Sequence, residues 1–140
     1  MELPSAASQP EREQLTQVRA ILLTLHKALL DSERTAYELV HGKVASPGAF
    51  LQLLINDNRF AWLRPVTTLL VEIDESLAAK NPPREKRDFE QLINDTRALL
   101  SPSRDADDEF WKRYAGVVQR DPGVAVLHDE MAQQLAHLKL

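Results

Sequence analysis

Cysteine is absent from the 140 residues, which excludes a disulfide framework, thiolate zinc sites and a cysteine nucleophile. Glycine is scarce, with four in the chain, and no run of alternating β-branched residues marks a strand. Positive charge is nowhere concentrated. Residues 1–42 carry four Lys/Arg against six Asp/Glu, residues 104–140 carry five against seven, and the whole chain has a formal net charge of −4. Binding a phosphate backbone needs clustered cations, so no nucleic-acid partner is expected.

The opening stretch MELPSAASQP lacks a basic region followed by an apolar one, and no apolar run approaches the roughly 20 residues that span a bilayer. The expectation is a soluble, cytoplasmic protein with no membrane partner. The glycine-rich phosphate loops G-x-x-x-x-G-K and G-x-G-x-x-G and the hydrolase elbow G-x-S-x-G are missing as well. With no catalytic motif and no cofactor signature, an enzyme is not the expectation.

Leu, Ala, Glu, Gln and Arg dominate what is there, and these are good helix formers. The length suits one domain large enough to bury a core without staples. Together they predict an all-α fold: residues 1–9 as a tail, and residues 10–140 as a single bundle of about five helices.

From Glu11, the residues Leu15, Val18, Leu22, Leu25, Leu29, Ala36 and Leu39 form a heptad seam with Ser32 as its one polar member. This predicts a helix over about 11–42, roughly 46 Å long at 1.5 Å per residue. A compact domain of this size is only about 35–40 Å across. An overhanging end would want a partner. Gly42 supplies a left-handed C-cap, and Ser46-Pro47 supplies an N-cap and first-turn proline for a second helix running back.

That second stretch, about 47–79, holds the densest apolar content. Phe60, Leu63, Val66, Leu70, Ile73 and Leu77 recur at steps of three and four, which puts them on one buried face. Pro65 interrupts the run. Either a first helix ends near Asn56-Asp57-Asn58 and another starts near Pro65, or one long helix is kinked at the proline. The unbroken apolar register favours the kink.

Asn81-Pro82-Pro83 reads as a stiff break. Three shorter helices follow: about 84–100 with Phe89, Leu92, Ile93, Thr96, Leu99 and Leu100 on one side, a second with Asp105, Asp107, Asp108 and Glu109 in its first turn, and a last one capped by Asp121 before Pro122. The acidic cluster is not a calcium loop, because Phe110 and Gly116 stand where glycine and a bidentate glutamate are required. Acids in a first turn instead complement the helix dipole.

Candidate contact residues are Arg59, Trp62 and Arg64, which flank the buried face beside the Asn56-Asp57-Asn58 turn; Arg and Trp often dominate interfaces. The plainer reading of Trp62 is an edge-of-core aromatic. Metal ligation has weaker signals. Glu38 and His41 have Glu-x-x-His spacing, but di-iron bundles need that motif twice, and His26 and His128 sit beside seam residues as a conceivable imidazole pair. The function these features predict is a non-enzymatic protein–protein interaction or oligomerisation module. The alternative is a small-molecule or metal-binding bundle with an inter-helix pocket near Pro65.

Overall fold

Apolar periodicity and caps translate directly into helices in the computed structural model, which describes residues 9–78, 87–102 and 108–137. Among these residues there are seven helices and no strand: α1 (Gln9–His41), α2 (Pro47–Asn56), α3 (Asn58–Ala61), α4 (Arg64–Ala78), α5 (Arg87–Leu99), α6 (Glu109–Arg120) and α7 (Pro122–His137). The protein is an all-α bundle. Of the tail expected over 1–9, Gln9 is the first residue of α1; residues 1–8, the Asn81-Pro82-Pro83 break and the acids Asp105 and Asp107 lie outside the described residues.

The helix α1 is the mast against which α4, α5 and α7 pack. Its partnership with α4 is antiparallel, as a ladder of side chains shows. Arg12 Nη1 donates to the Leu77 carbonyl at 2.7 Å, Arg19 pairs with Asp74, His26 Nε2 meets Thr67 Oγ1 at 3.2 Å, and Trp62 Nε1 donates to Glu33 Oε2 at 3.3 Å. Residue numbers rise on one helix as they fall on the other. Between the rungs Leu15, Val18, Leu22, Leu25 and Leu29 of α1 meet Leu63, Val66, Leu70 and Ile73 in a core that also takes Phe89 and Ile93 of α5, Tyr114 and Val117 of α6, and Val124 and Met131 of α7. Each fully buried apolar side chain contributes about 1.5–3 kcal/mol, so this cluster outweighs the marginal intrinsic propensity of short helices.

Residues 47–78 are not one kinked helix. The chain breaks at Asp57, whose backbone is extended (φ −93°, ψ 129°) and whose carboxylate accepts from Arg59 N at 2.8 Å to start α3. It breaks again in the turn at Trp62–Leu63, where the Leu63 N–H reaches Phe60 O at 3.1 Å. Three poor helix formers in a row, Asn56-Asp57-Asn58, offer the backbone side-chain hydrogen bonds that compete with helix. Pro65 then falls in the first turn of α4, where its missing N–H costs nothing. The apolar register survives because both interruptions are tight: Phe60, Leu63, Val66, Leu70 and Ile73 are all buried.

The caps expected at Gly42, Ser46 and Asp121 are in place, and Asp108, expected inside the first turn of its helix, is instead the N-cap of α6. Gly42 has φ +83° and its N–H closes on Glu38 O at 2.9 Å, the left-handed finish that disfavours any residue with a Cβ. Ser46 Oγ accepts from Ala49 N, Asp108 from Trp111 N, and Asp121 from Gly123 N and Val124 N.

The heptad seam is covered only in part. Leu15 to Leu29 are buried, and Ser32 still is, but Ala36 is half-buried and Leu39 is 84% exposed. The cause is length: α1 spans about 50 Å, whereas α7 begins at Pro122 beside the Ser32–Leu39 stretch, where Asp121 and Arg120 line a groove with Asp31, Thr35 and Ala36. Beyond that corner no described helix lies on the seam.

Candidate functional site

The open end of the mast carries the most distinctive chemistry, and it begins with a buried charge. Glu33, about one turn past Leu29, the last buried leucine of the seam, is 4% exposed. One carboxylate oxygen accepts from the Trp62 indole and the other pairs with Arg120 of α6. A carboxylate removed from water is tolerated only when both oxygens are satisfied, and here a donor and a cation do so. Two elements therefore converge on α1 at this level: the α3–α4 turn brings Trp62, and the last turn of α6 brings Arg120.

Around this pair opens a polar cleft of about 370 Å³ lined by Glu33, His41, Asp57, Arg59, Arg113 and Arg120. Three guanidinium groups thus face two carboxylates. Arg113 and Arg120 stand seven residues apart on α6 and so share one helix face, while Asp57 holds the start of α3 and with it Arg59. Glu33 is committed to Trp62 and Arg120, and Asp57 to its cap. Among the described residues neither Arg59 nor Arg113 has a carboxylate partner.

Beside the cleft lies an apolar surface. None of the ten residues of α2 is buried, although its sequence PGAFLQLLIN contains no charge. Its aromatic contact is Phe50, which stands edge-on to Phe60 at 5.7 Å and beneath the Arg34 guanidinium at 4.8 Å, and Ala49, Leu53 and Leu54 are half-buried beside it. Leu51 and Ile55, one turn apart, are 54% and 55% exposed, and Leu39 and Val40 at the end of α1 are more exposed still.

The contact residues expected from sequence do not share a surface. Trp62 is inside, 8% exposed, with its ring 5.5 Å from Phe110; the plainer core reading describes it. Helical spacing left its side ambiguous because the turn at 62–63 rotates it toward α1 and α6. Arg59 lines the cleft. Arg64 is exposed, is not among the cleft-lining residues, and donates to the Ile55 carbonyl at 3.5 Å. Glu33, Arg113 and Arg120 were not singled out from sequence. Only Glu33 offered a signal, a carboxylate adjoining the seam position Ser32.

The histidines and Glu38 are spread over separate contacts. Glu38 accepts from Val44 N at 2.8 Å and lies 3.6 Å from Arg34. His41 packs its ring 4.4 Å from that of Tyr37, and His128 Nδ1 lies 2.6 Å from the Tyr114 hydroxyl. Among the described residues no three His, Asp or Glu side chains converge as metal ligands do.

His26, on the α4 side of α1, is partly desolvated, and burial lowers its pKa. The neutral imidazole is the form the fold accepts. Its stabilising contribution is therefore complete above the unfolded value near 6.5 and is lost as pH falls through the lower folded value. Urea unfolding of H26Q is expected to show a shallower loss of stability between about pH 7 and 5 than the parent; parallel pH profiles would contradict this.

No helix among the described residues is long and apolar enough to cross a membrane. Comparison with protein-family models, with curated proteins and with solved structures found no match to this chain.

Proposed function

We propose that the protein is a non-enzymatic interaction module that self-associates through α2 and the overhanging end of α1. The observation that supports this is the uncharged helix α2, which has no buried residue and leaves Leu51 and Ile55 in solvent, while Leu39 and Val40 at the end of α1 are exposed as well. Exposed apolar side chains one turn apart on an uncharged helix suit a contact site better than ordinary exterior. A second copy of the chain is the favoured partner. Two copies carrying −4 each repel over most of their surfaces, but α2 carries no charge and can face itself in the two-fold arrangement common among homo-oligomers.

Native mass spectrometry of the purified protein tests this, with twice the chain mass expected at micromolar concentration. The variant L51E/I55E is expected to run as a folded monomer whose unfolding midpoint no longer depends on protein concentration, because neither residue is in the core. A monomeric parent, or a variant that stays dimeric, would overturn the reading.

A second reading, a small-molecule binding bundle, has support of its own in a cavity of about 230 Å³ between α5 and α7, lined by Arg97, Leu100, His128, Met131 and Leu135 among others. Apolar walls with a few convergent polar groups suit a small ligand, although this volume is below the usual range of about 300–1,000 Å³. It lies away from Pro65. Excess mass on a monomer, lost on denaturation, would favour this reading over self-association.

A further inference from the structure

We infer that the cleft formed by Arg59, Arg113 and Arg120 is a binding site for a phosphate monoester dianion. The argument begins with electrostatics that the protein leaves unbalanced. In a chain where acids outnumber bases, 21 to 17, three arginines line one cleft of about 370 Å³ with His41 and two carboxylates, so cations are in excess there; Glu33 is paired with Arg120 and Asp57 caps α3. Like charges gathered in a concave, partly desolvated site repel one another more than on open surface. A bound anion removes that repulsion.

The type of anion follows from donor supply. A single carboxylate is satisfied by one guanidinium fork. Here Arg59 and Arg113 offer two complete forks, and Arg120, held from below by Glu33, keeps N–H groups beyond the one that faces the carboxylate. A phosphate monoester presents three strong acceptor oxygens and close to two charges at neutral pH, which matches this supply better than a monoanion does. Glu33 has a positioning part: buried and bonded to Trp62, it fixes the height at which Arg120 enters the cleft. The polar lining leaves the rest of the ligand in solvent, so the site recognises the phosphate group itself. That group is carried equally by a small phosphorylated molecule or by a phosphorylated protein side chain. The inference is independent of self-association through α2, whose exposed leucine and isoleucine are not in the cleft.

The test is an NMR titration at constant ionic strength that follows the Arg side-chain Nε–H signals and the Trp62 indole N–H, which lies next to Glu33. The probes are ribose 5-phosphate and O-phosphoserine, with acetate as the monoanion comparison. Saturable shifts with either phosphate are expected, with acetate binding at least about tenfold more weakly. The tighter of the two phosphates indicates the source. R59Q and R113Q are each expected to weaken binding about tenfold, R59Q/R113Q to abolish it, and K27Q on the remote part of α1 to leave it unchanged. Both arginines are at the surface, so unfolding curves matching the parent confirm that the variants are folded. Shifts that do not saturate, saturation equal in R59Q/R113Q and parent, or acetate binding as tightly as phosphate would overturn the inference. Performing the titration on L51E/I55E separates the two proposals, since loss of dimer with retained phosphate binding leaves the cleft standing.

Discussion

Tyr114→Ala is expected to lower the unfolding free energy by about 3–5 kcal/mol, the range for removing a large aromatic from a core. Tyr114 is fully buried and stands at the middle of a train of rings: Phe110 stacks on it at 5.7 Å, Trp111 tilts against it at 5.7 Å, and His128 meets it edge-on at 5.3 Å. Its loss opens a cavity where α6, α7 and the Trp62 side of the bundle meet. Tyr114→Phe keeps the ring and removes only the hydroxyl that meets His128 Nδ1 at 2.6 Å, so a cost near 1 kcal/mol is expected. Urea unfolding of the two variants checks the ordering. A Tyr114→Ala variant within about 1 kcal/mol of the parent would mean that the neighbouring helices collapse into the gap.

The same residue sets an alkaline limit. Burial raises the Tyr114 pKa far above its ordinary value, and the nearby Asp129 adds to the effect. The folded state binds the phenolic proton more tightly than the unfolded state, so the stabilisation is complete below the unfolded value near 10 and falls as pH rises beyond it. Tyr114→Phe is expected to flatten the stability profile above about pH 10 while shifting it at neutral pH only by the roughly constant cost of the lost hydroxyl contact. A parent and variant with the same alkaline slope would assign that slope to other groups.

Arg120→Met is the second large effect. It leaves the Glu33 carboxylate buried without its cation, and breaking a buried pair from one side costs about 3–5 kcal/mol. Arg120 is itself about half exposed, which lets water reach the wound and argues for a value at or below the bottom of that range, about 2–3 kcal/mol. The double variant E33Q/R120M is expected to recover most of the loss, because glutamine is neutral and still accepts from the Trp62 indole. This cycle separates the cost of an orphaned charge from that of lost packing. If E33Q/R120M is no more stable than R120M, the orphaned carboxylate is not the cause.

Much of the fold was legible because it follows from local rules. The spacing of Leu15 through Leu29 named the buried face of α1, Gly42 and Ser46-Pro47 fixed the turn after it, and Asp121 marked the start of α7. Each of these depends on residues within four or five positions of one another. Where the same reasoning failed, the missing information was long-range. The intact register of Phe60, Leu63, Val66 and Ile73 suggested a continuous kinked helix, yet a break at Asp57 followed by a tight turn at Trp62–Leu63 preserves that register equally well. Trp62 was legible as an aromatic on a flank. Whether that flank faces solvent or a neighbour depends on where Phe110 and Glu33 lie, 48 and 29 positions away.

The sequence by itself determined an all-α chain with a long first helix, because helix propensity, capping and the 3.6-residue repeat are read within single segments. The tertiary structure decided which part of that helix is covered. It left Leu39 and α2 outside, drove Glu33 inside between Trp62 and Arg120, and gathered Arg59, Arg113 and Arg120 into one cleft from segments scattered along the chain. The physical reason is that burial and charge balance are properties of neighbours in space. A heptad seam states that a face is apolar, but only the helix lengths and the position of the α6–α7 corner state how far along α1 that face finds something to pack against.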